Sequence, residues 1–432
     1  MGGQSETNTA LRPGKLPQKS SSKKQQPPSS VWQSPYDPLE NKKQELPSPG
    51  ELKAAIPSEC FERSAVRSLL LVVRDLFMAT CIVLATSQFL STSVPEEGVW
   101  SLEMVKWVVG WGLYSFWMGA VLTGLWVLAH ECGHGAFSSS GLLNDCVGFV
   151  LHQGLLVPYF SWKFTHAKHH RRTNHLMDGE SHVPSTAKEN GIGDNGERLH
   201  YFARWHEVMG DDAFAILQIW AHLGIGWPIY LCGFASTGRL AQDGTPLGDR
   251  VMDHWRPNSP MFTPKQQSRV LLSTIGTLGM LGLLVAAGVK FGFMPVFLWY
   301  CCPYLWVNMW LVLYTWLQHT DPSVPHYGTE EWTWVKGALS TIDRPYGIFD
   351  FFHHRIGSTH VAHHLFHKIP CYHAKKATDA LKEYLEPKGL YNYNPEWWVK
   401  ELWRVAKTCH YVQDTTGIQY YKSLNDLPKK LA

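Results

Sequence analysis

A chain of 432 residues with a formal net charge of +3 and no dense basic patch gives no reason to expect a nucleic-acid partner. Its residues are 45% hydrophobic and 13% aromatic, with twenty tryptophans, yet the mean hydropathy is −0.17, so long apolar runs must alternate with polar segments, as in a protein half inside a bilayer. Nine cysteines, an odd number without a CxxC pair, argue against a disulfide framework or a thiolate zinc knuckle and suit a reducing compartment.

Residues 1 to about 50 are rich in Ser, Lys, Gln and Pro and read as a disordered cytosolic tail. The tail lacks the apolar core of a secretory signal, and Glu6 stands where a myristoylation signal needs Ser or Thr. The first apolar run covers about 66–90 and is interrupted by Arg74 and Asp75, which must snorkel to the interface or pair inside the bundle. A short acidic link leads to a second run at about 104–129. Two later segments, 142–160 and 213–235, are apolar but broken by Gly, Pro and polar residues, and read as interfacial or re-entrant helices. Runs at about 270–289 and 293–317 then form a tight hairpin around Lys290.

Lys and Arg cluster at 63–67, 163–172, 265–269 and 336–355, whereas the links inside each hairpin carry little positive charge. The positive-inside rule therefore puts both termini and the intervening polar segments in the cytosol. The expected fold is an all-α integral membrane protein with four transmembrane helices in two hairpins, interfacial helices, and a cytosolic helical cap from 130–212 and 318–425. Residues 51–425 would form the single domain, followed by a short tail, 426–432, whose Lys429 and Lys430 match a dilysine signal for retrieval to the endoplasmic reticulum. Were 213–235 to cross as a fifth helix, the last histidine cluster would lie across the membrane from the first two.

The twenty-two histidines carry the chemistry. The first cluster, His130-Glu131-Cys132-Gly133-His134, closes the second apolar run. Histidines at i and i+4 on a helix face one direction, which suits two ligands on one metal, though HExxH is also the signature of zinc proteases. The second is His166-Ala167-Lys168-His169-His170 and the third His360-Val361-Ala362-His363-His364. In each, the i, i+3 pair is expected on one face, with the adjacent histidine turned toward a second ion. His319 follows the fourth run at a matching depth. Nine imidazoles are too many for one tetrahedral zinc and suit two ions of higher coordination number.

HECGH, HAKHH and HVAHH, with QHTDP at 318–322, GALSTIDRPYG at 337–347 and FHKIPCYHA at 366–374, resemble the membrane fatty-acid desaturases, specifically the microsomal oleate (delta-12) enzymes. The match covers about residues 50–425, and the stretches WKFTHAKHHRRTNH and WTWVKGALSTIDRPYGIFD are most similar to diatom and related algal members. The resemblance implies two non-haem irons ligated by His130, His134, His166, His169, His170, His360, His363, His364 and His319, with O2 as co-substrate. It implies oleoyl phosphatidylcholine as substrate, linoleoyl as product, and the endoplasmic reticulum membrane as location. The chain has neither a nicotinamide or flavin fingerprint nor the haem motif of a fused cytochrome b5, so electrons are expected from a separate partner, for which the resemblance implies cytochrome b5 and its NADH reductase. Association with itself or with other desaturases is a further expectation.

Neutral imidazoles leave the metal charge uncompensated, which makes Glu131, Asp178, Asp321, Asp343 and Asp350 candidates for orienting imidazole N–H groups. Trp111, Trp117, Trp306 and Trp310 are candidates to line an acyl tunnel. His175, His182, His326, His353, His354, His367 and His373 are expected near the clusters without ligating, and His152, His200, His206, His222, His254 and His410 as ordinary side chains. Competing readings are an omega-3 desaturase, hydroxylase or acetylenase on the same scaffold, an intramembrane zinc protease built on His130, Glu131 and His134, and a histidine-rich transporter or lipid receptor.

Overall fold

The computed structural model describes residues 46–96, 98–193, 195–199, 201–233 and 237–427. The proposed N-terminal tail to residue 45, His200 and the Lys429-Lys430 signal lie outside them. Among the described residues the chain is almost entirely helical. In order, the helices are α1 (Pro49–Ala54), α2 (Ala65–Phe89), α3 (Leu102–His134), α4 (Gly141–Gln153), α5 (Tyr159–Arg171), α6 (Tyr201–Trp220), α7 (Gly226–Leu231) and α8 (Gln267–Phe291). After these come α9 (Phe293–Val296), α10 (Cys302–His319), α11 (Trp334–Leu339), α12 (Phe349–Phe352), α13 (His360–Leu365), α14 (Cys371–Leu385) and α15 (Trp398–Thr408). One two-stranded antiparallel ribbon joins His326–Tyr327 to Ile418–Gln419.

Local chemistry sets the helix ends. The Ser101 hydroxyl accepts from the Met104 N–H at 3.1 Å and starts α3, and Gly135 ends it in the left-handed conformation at φ 71°. That stop falls one residue after His134, so the helix carries the whole first cluster to its tip. Helix α3 is the central pillar, buried from Met118 to Cys132 apart from Leu122 and packed against α2, α4 and α10. Helices α2 and α8 form the rim, with Leu70, Phe77, Leu84, Ile275, Leu283 and Val285 exposed, as hydrocarbon-facing surfaces require.

Among the described residues, five helical stretches, one more than expected, are long and apolar enough to cross a membrane: Ala65–Phe89, Leu102–His134, Phe202–Leu231, Gln267–Phe291 and Phe293–His319. The additional stretch, Phe202–Leu231, is broken by non-helical Gly210 (φ 76°, ψ 170°) and by a π-helical turn at Ala221–Ile225. Its first part packs Phe202, Ala203 and Phe214 against Tyr411 and Leu424. Just past its end, Gly238 and Arg239 donate to the carbonyls of Gly179 and Met177. Helix α4, at thirteen residues, is too short to span.

The charges inside the first apolar run pair within the bundle. Asp75, fully buried, binds Arg74 at 2.7 Å and His354 Nε2 at 2.8 Å. Helix α3 passes this pair at Gly124, where a Cβ would lie 2.4 Å from the Phe352 carbonyl and 2.8 Å from Asp75 Oδ2. Gly124→Ala should therefore destabilise the detergent-solubilised protein by about 1–3 kcal/mol, since backbone cannot yield as a side chain can. An unchanged thermal midpoint would contradict this packing.

Candidate metal centre

Four pieces of backbone deliver the nine histidines. The tip of α3 brings His130 and His134, α5 brings the second cluster, the tip of α10 brings His319, and α13 brings the third cluster. Ligand atoms of His130, His134, His166, His170 and His363 lie within 4.8 Å of one another, and those of His169, His319 and His364 form a second such group. His360 joins the second by contact, its Nε2 3.0 Å from His319 Nε2.

The division within each cluster differs from the expected i, i+3 pairing. His166 and His170 share the first group while His169 enters the second, and His360 and His364 face the second while His363 enters the first. The reason is angular. At about 100° per residue, i+4 returns within about 40° of the starting direction and i+3 only within about 60°. Every HxxHH therefore splits two to one between neighbouring groups.

The arrangement fits cations. His319 Nε2 lies 3.1 Å from His169 Nε2 and 3.0 Å from His360 Nε2, so one proton could not satisfy all the contacts. His363 Nε2 and His364 Nε2 are buried without a hydrogen-bond partner. Burial, followed by neighbouring imidazoles, drives His166, His170, His360, His363 and His364 well below the usual histidine range, and burial takes His169 to about 4. These rings are neutral, with lone pairs available. An imidazole set without a carboxylate suits iron, zinc, copper or nickel, and its size exceeds what one zinc accepts.

Two tautomers follow from partners that sequence reading missed. The Glu180 carbonyl can only accept, so the 2.6 Å contact fixes His169 as the Nδ1–H form and aims Nε2 at the second group. The Thr173 hydroxyl donates to the His169 carbonyl at 2.8 Å and so accepts from His364 Nδ1–H at 3.0 Å. No sequence signal marks a carbonyl for such work.

The carboxylates are differently engaged than expected. Asp178 pairs with Lys168 and Arg172, Asp350 accepts from the Tyr346 amide, and Asp321 pairs with Arg344 and Arg404. Asp343 accepts from the Val361 N–H at 2.9 Å and the Tyr391 hydroxyl at 2.6 Å, which fixes the start of α13 rather than an imidazole. Glu131 lies 3.7 Å from His130 Nδ1, while its Oε2 accepts from the Cys371 amide. That places it behind His130, away from the facing Nε2 atoms of His130 and His134, where a protease base would be needed.

Of the remaining histidines, His367 comes closest to the first group, its ring 5.0 Å from that of His134. His182 meets Thr315, His353 the Tyr314 hydroxyl, His354 Asp75, and His175 the amides of Met177 and Asp178. His326 is buried in the ribbon and His373 lies against Tyr372. His152 is wedged between Trp126 and Trp162, His206 pairs with Asp211, His222 stacks on Trp316, His254 meets Thr165, and His410 packs near His206.

Trp162 stacks on His166 at 4.3 Å and Trp126 on His130 at 5.7 Å, which lines one side of the first group with indole rings. Of the four tunnel candidates, Trp111 and Trp306 line an open apolar cavity of about 560 Å³ between α3, α10 and the broken helix. Trp310 is instead core, and Trp117 packs on Phe116 and Phe352.

A family model described as fatty acid desaturase matches residues 106–396. The chain is similar to the delta(12) fatty acid desaturase of Mortierella alpina, 38% identical over 377 residues that cover 86% of this chain and 90% of the relative. It is 38% identical over 381 residues to the omega-6 fatty acid desaturase, endoplasmic reticulum, of Brassica juncea, covering 87% and 91%. The oleoyl-12-hydroxylase of Ricinus communis is 37% identical over 380 residues, covering 87% and 90%.

Proposed function

Because the chain belongs to the fatty acid desaturase family, we propose that it is an acyl-lipid delta-12 desaturase, an oxidoreductase that puts a cis double bond into oleoyl chains of phosphatidylcholine to give linoleoyl. The observation that carries this reading is the meeting of nine imidazoles from four separate stretches in two adjoining groups. His130, His134, His166, His170 and His363 would hold one iron, and His169, His319, His360 and His364 the other. When bound, the two irons would pass electrons from the external donor to O2 and so activate it to remove two hydrogens from an unactivated methylene pair. Imidazoles withstand such an oxidant better than thiolates.

The chain's own residues prepare that site. Glu180 and Thr173 present Nε2 of His169 and His364, and Trp126 and Trp162 hold the rings of His130 and His166 by stacking on them. Electrons come from external cytochrome b5 and its NADH reductase.

We read the topology as four spans, α2, α3, α8 and α9–α10, with residues 51–425 as one domain in the endoplasmic reticulum membrane and the site and both termini facing the cytosol. Two observations support it. His134 and His319 end different long helices yet contribute to adjoining groups, and the first part of Phe202–Leu231 packs on Tyr411 and Leu424 while the chain beyond it bonds through Gly238 and Arg239 to Gly179 and Met177, which supports a stretch that dips and returns. Expression in a yeast lacking polyunsaturated lipids should produce linoleate, and the purified protein should hold two irons per chain. Unchanged lipids despite good expression and available cytochrome b5 would reject the assignment, whereas 12-hydroxyoleate would favour the hydroxylase and a trienoic product from supplied linoleate the omega-3 enzyme.

A further inference from the structure

Two tryptophans touch the first group, and a line of rings leads away from them. The indole of Trp162 lies 4.3 Å from the ring of His166, and that of Trp126 lies 5.7 Å from His130. Trp126 meets Trp162 edge-on at 5.2 Å and Trp227 at 6.4 Å, and Trp227 reaches Tyr230 at 5.8 Å. The three indoles are buried, whereas Tyr230 is half-buried. Packing by itself asks only for large apolar side chains of the right volume. None of these rings is Phe, the aromatic that resists one-electron oxidation, although the chain has nineteen of them.

The polar atoms of the rings differ in a way that packing does not require. Trp126 Nε1–H is buried with no hydrogen-bond partner among the described residues, which is a cost to the fold. It also leaves an oxidised indole no base to take its proton, so an electron vacancy there stays mobile. At the far end the Tyr230 hydroxyl donates to Glu180 Oε1 at 3.3 Å, with Thr165 Oγ1 farther away at 3.5 Å. A phenol that loses an electron releases its proton to such a carboxylate, so the vacancy settles on Tyr230. Thiols stand close to the other end of the line: Cys132 lies between His130 and His134 in α3, and the Cys371 amide donates to Glu131. A strong oxidant left without substrate would damage them irreversibly.

On the reading of the centre as two irons, we propose that Trp162, Trp126, Trp227 and Tyr230 form an electron relay that serves the centre when O2 has been activated and no acyl chain is in place. One electron passes from Tyr230 through Trp227, Trp126 and Trp162 to the centre, and the Tyr230 proton moves to Glu180, leaving a neutral tyrosyl radical. A thiolate then returns one electron to the ring, itself becoming a thiyl radical, and Glu180 returns the proton. Two such passages replace the two electrons that the missing C–H bonds would have given. With the matching two protons from solvent, the oxygen leaves as water. Electron transfer falls off steeply with separation, so a series of near-contact steps is faster than one long jump.

The test uses purified, iron-loaded enzyme and its Tyr230→Phe and Trp227→Phe variants, reduced, exposed to O2 without lipid and frozen. The wild type should give a tyrosyl signal in electron paramagnetic resonance that narrows when the protein is made with ring-deuterated tyrosine. Both variants should lose that signal. After repeated exposure to O2, their peptide mass spectra should show more oxidation at Cys132, Cys371 and the ligand histidines than the wild type does. With oleoyl lipid present, their initial rates of linoleate formation should match the wild type, since neither ring is paired with a ligand ring. Tyr230→Phe keeps the ring and its packing, so it asks the question even where Trp227→Phe does not fold. The same radical signal in either variant, or equal oxidation in variants and wild type, would overturn the proposal. A wild type that makes linoleate yet gives no tyrosyl signal refutes the relay alone, whereas a wild type that binds no iron pair refutes the reading beneath it.

Discussion

His169→Ala and His363→Ala should each reduce linoleate formation by roughly 100-fold or more while the protein still inserts into membranes. The two residues belong to different groups, His169 with His319 and His364, His363 with His130, His134, His166 and His170. They also come from different clusters, separated by almost two hundred residues of chain. If the groups work as one centre, either loss is sufficient. The decisive measurement combines fatty-acid analysis with iron content and with protease protection of the inserted protein. Turnover near the wild-type rate in either variant would contradict a shared centre.

Arg344→Leu should cost about 3–5 kcal/mol and release His319 from its position. Arg344 is fully buried and donates through Nε at 3.2 Å and Nη2 at 3.0 Å to the Leu317 carbonyl, in the last turn of α10. Its Nη1 reaches Glu401 at 3.3 Å and its Nη2 lies 3.6 Å from Asp321, with Arg404 bridging both carboxylates from the other side. Removing Arg344 leaves the Leu317 carbonyl unpaired and half the compensation of two buried carboxylates gone. Arg344→Lys should recover only part of the loss, because one ammonium cannot reproduce a planar fork that binds a carbonyl and two carboxylates at once. Thermal unfolding in detergent and iron content read the two effects separately. A leucine variant as stable as the wild type would show that the network is dispensable.

The expected spans illustrate what a pattern can carry. The run at about 66–90 appears as Ala65–Phe89 and that at 270–289 as Gln267–Phe291, because a lipid-facing helix needs little beyond an unbroken apolar surface. The segment at 213–235 was harder. It belongs to Phe202–Leu231, which is long and apolar enough to cross, is broken at Gly210 and packs its first part on Tyr411 and Leu424. Its Gly, Pro and polar residues marked an interruption in the sequence; which residues the segment packs against is information that only the tertiary structure holds.

The histidine spacing by itself marked eight of the nine rings that converge, since a helix repeats its facing direction every turn and three such clusters in one chain leave few other uses; His319 was marked by its place at the end of the fourth apolar run. Tertiary structure alone decided how the rings divide, which atoms they present and what holds them. His166 and His170 part from His169 because i+4 lies angularly closer than i+3, and that choice has meaning only once α10 and α13 supply the other walls. The Glu180 carbonyl and the Thr173 hydroxyl fix tautomers through contacts that any sequence could make and only this folding brings within reach, whereas the carboxylates that looked suited to the task are bound to arginines, lysines or backbone amides. Periodicity records the direction of a side chain along its own helix; what it meets there depends on segments far away in the chain, and hydrogen bonds of about 3 Å are settled only when those segments pack.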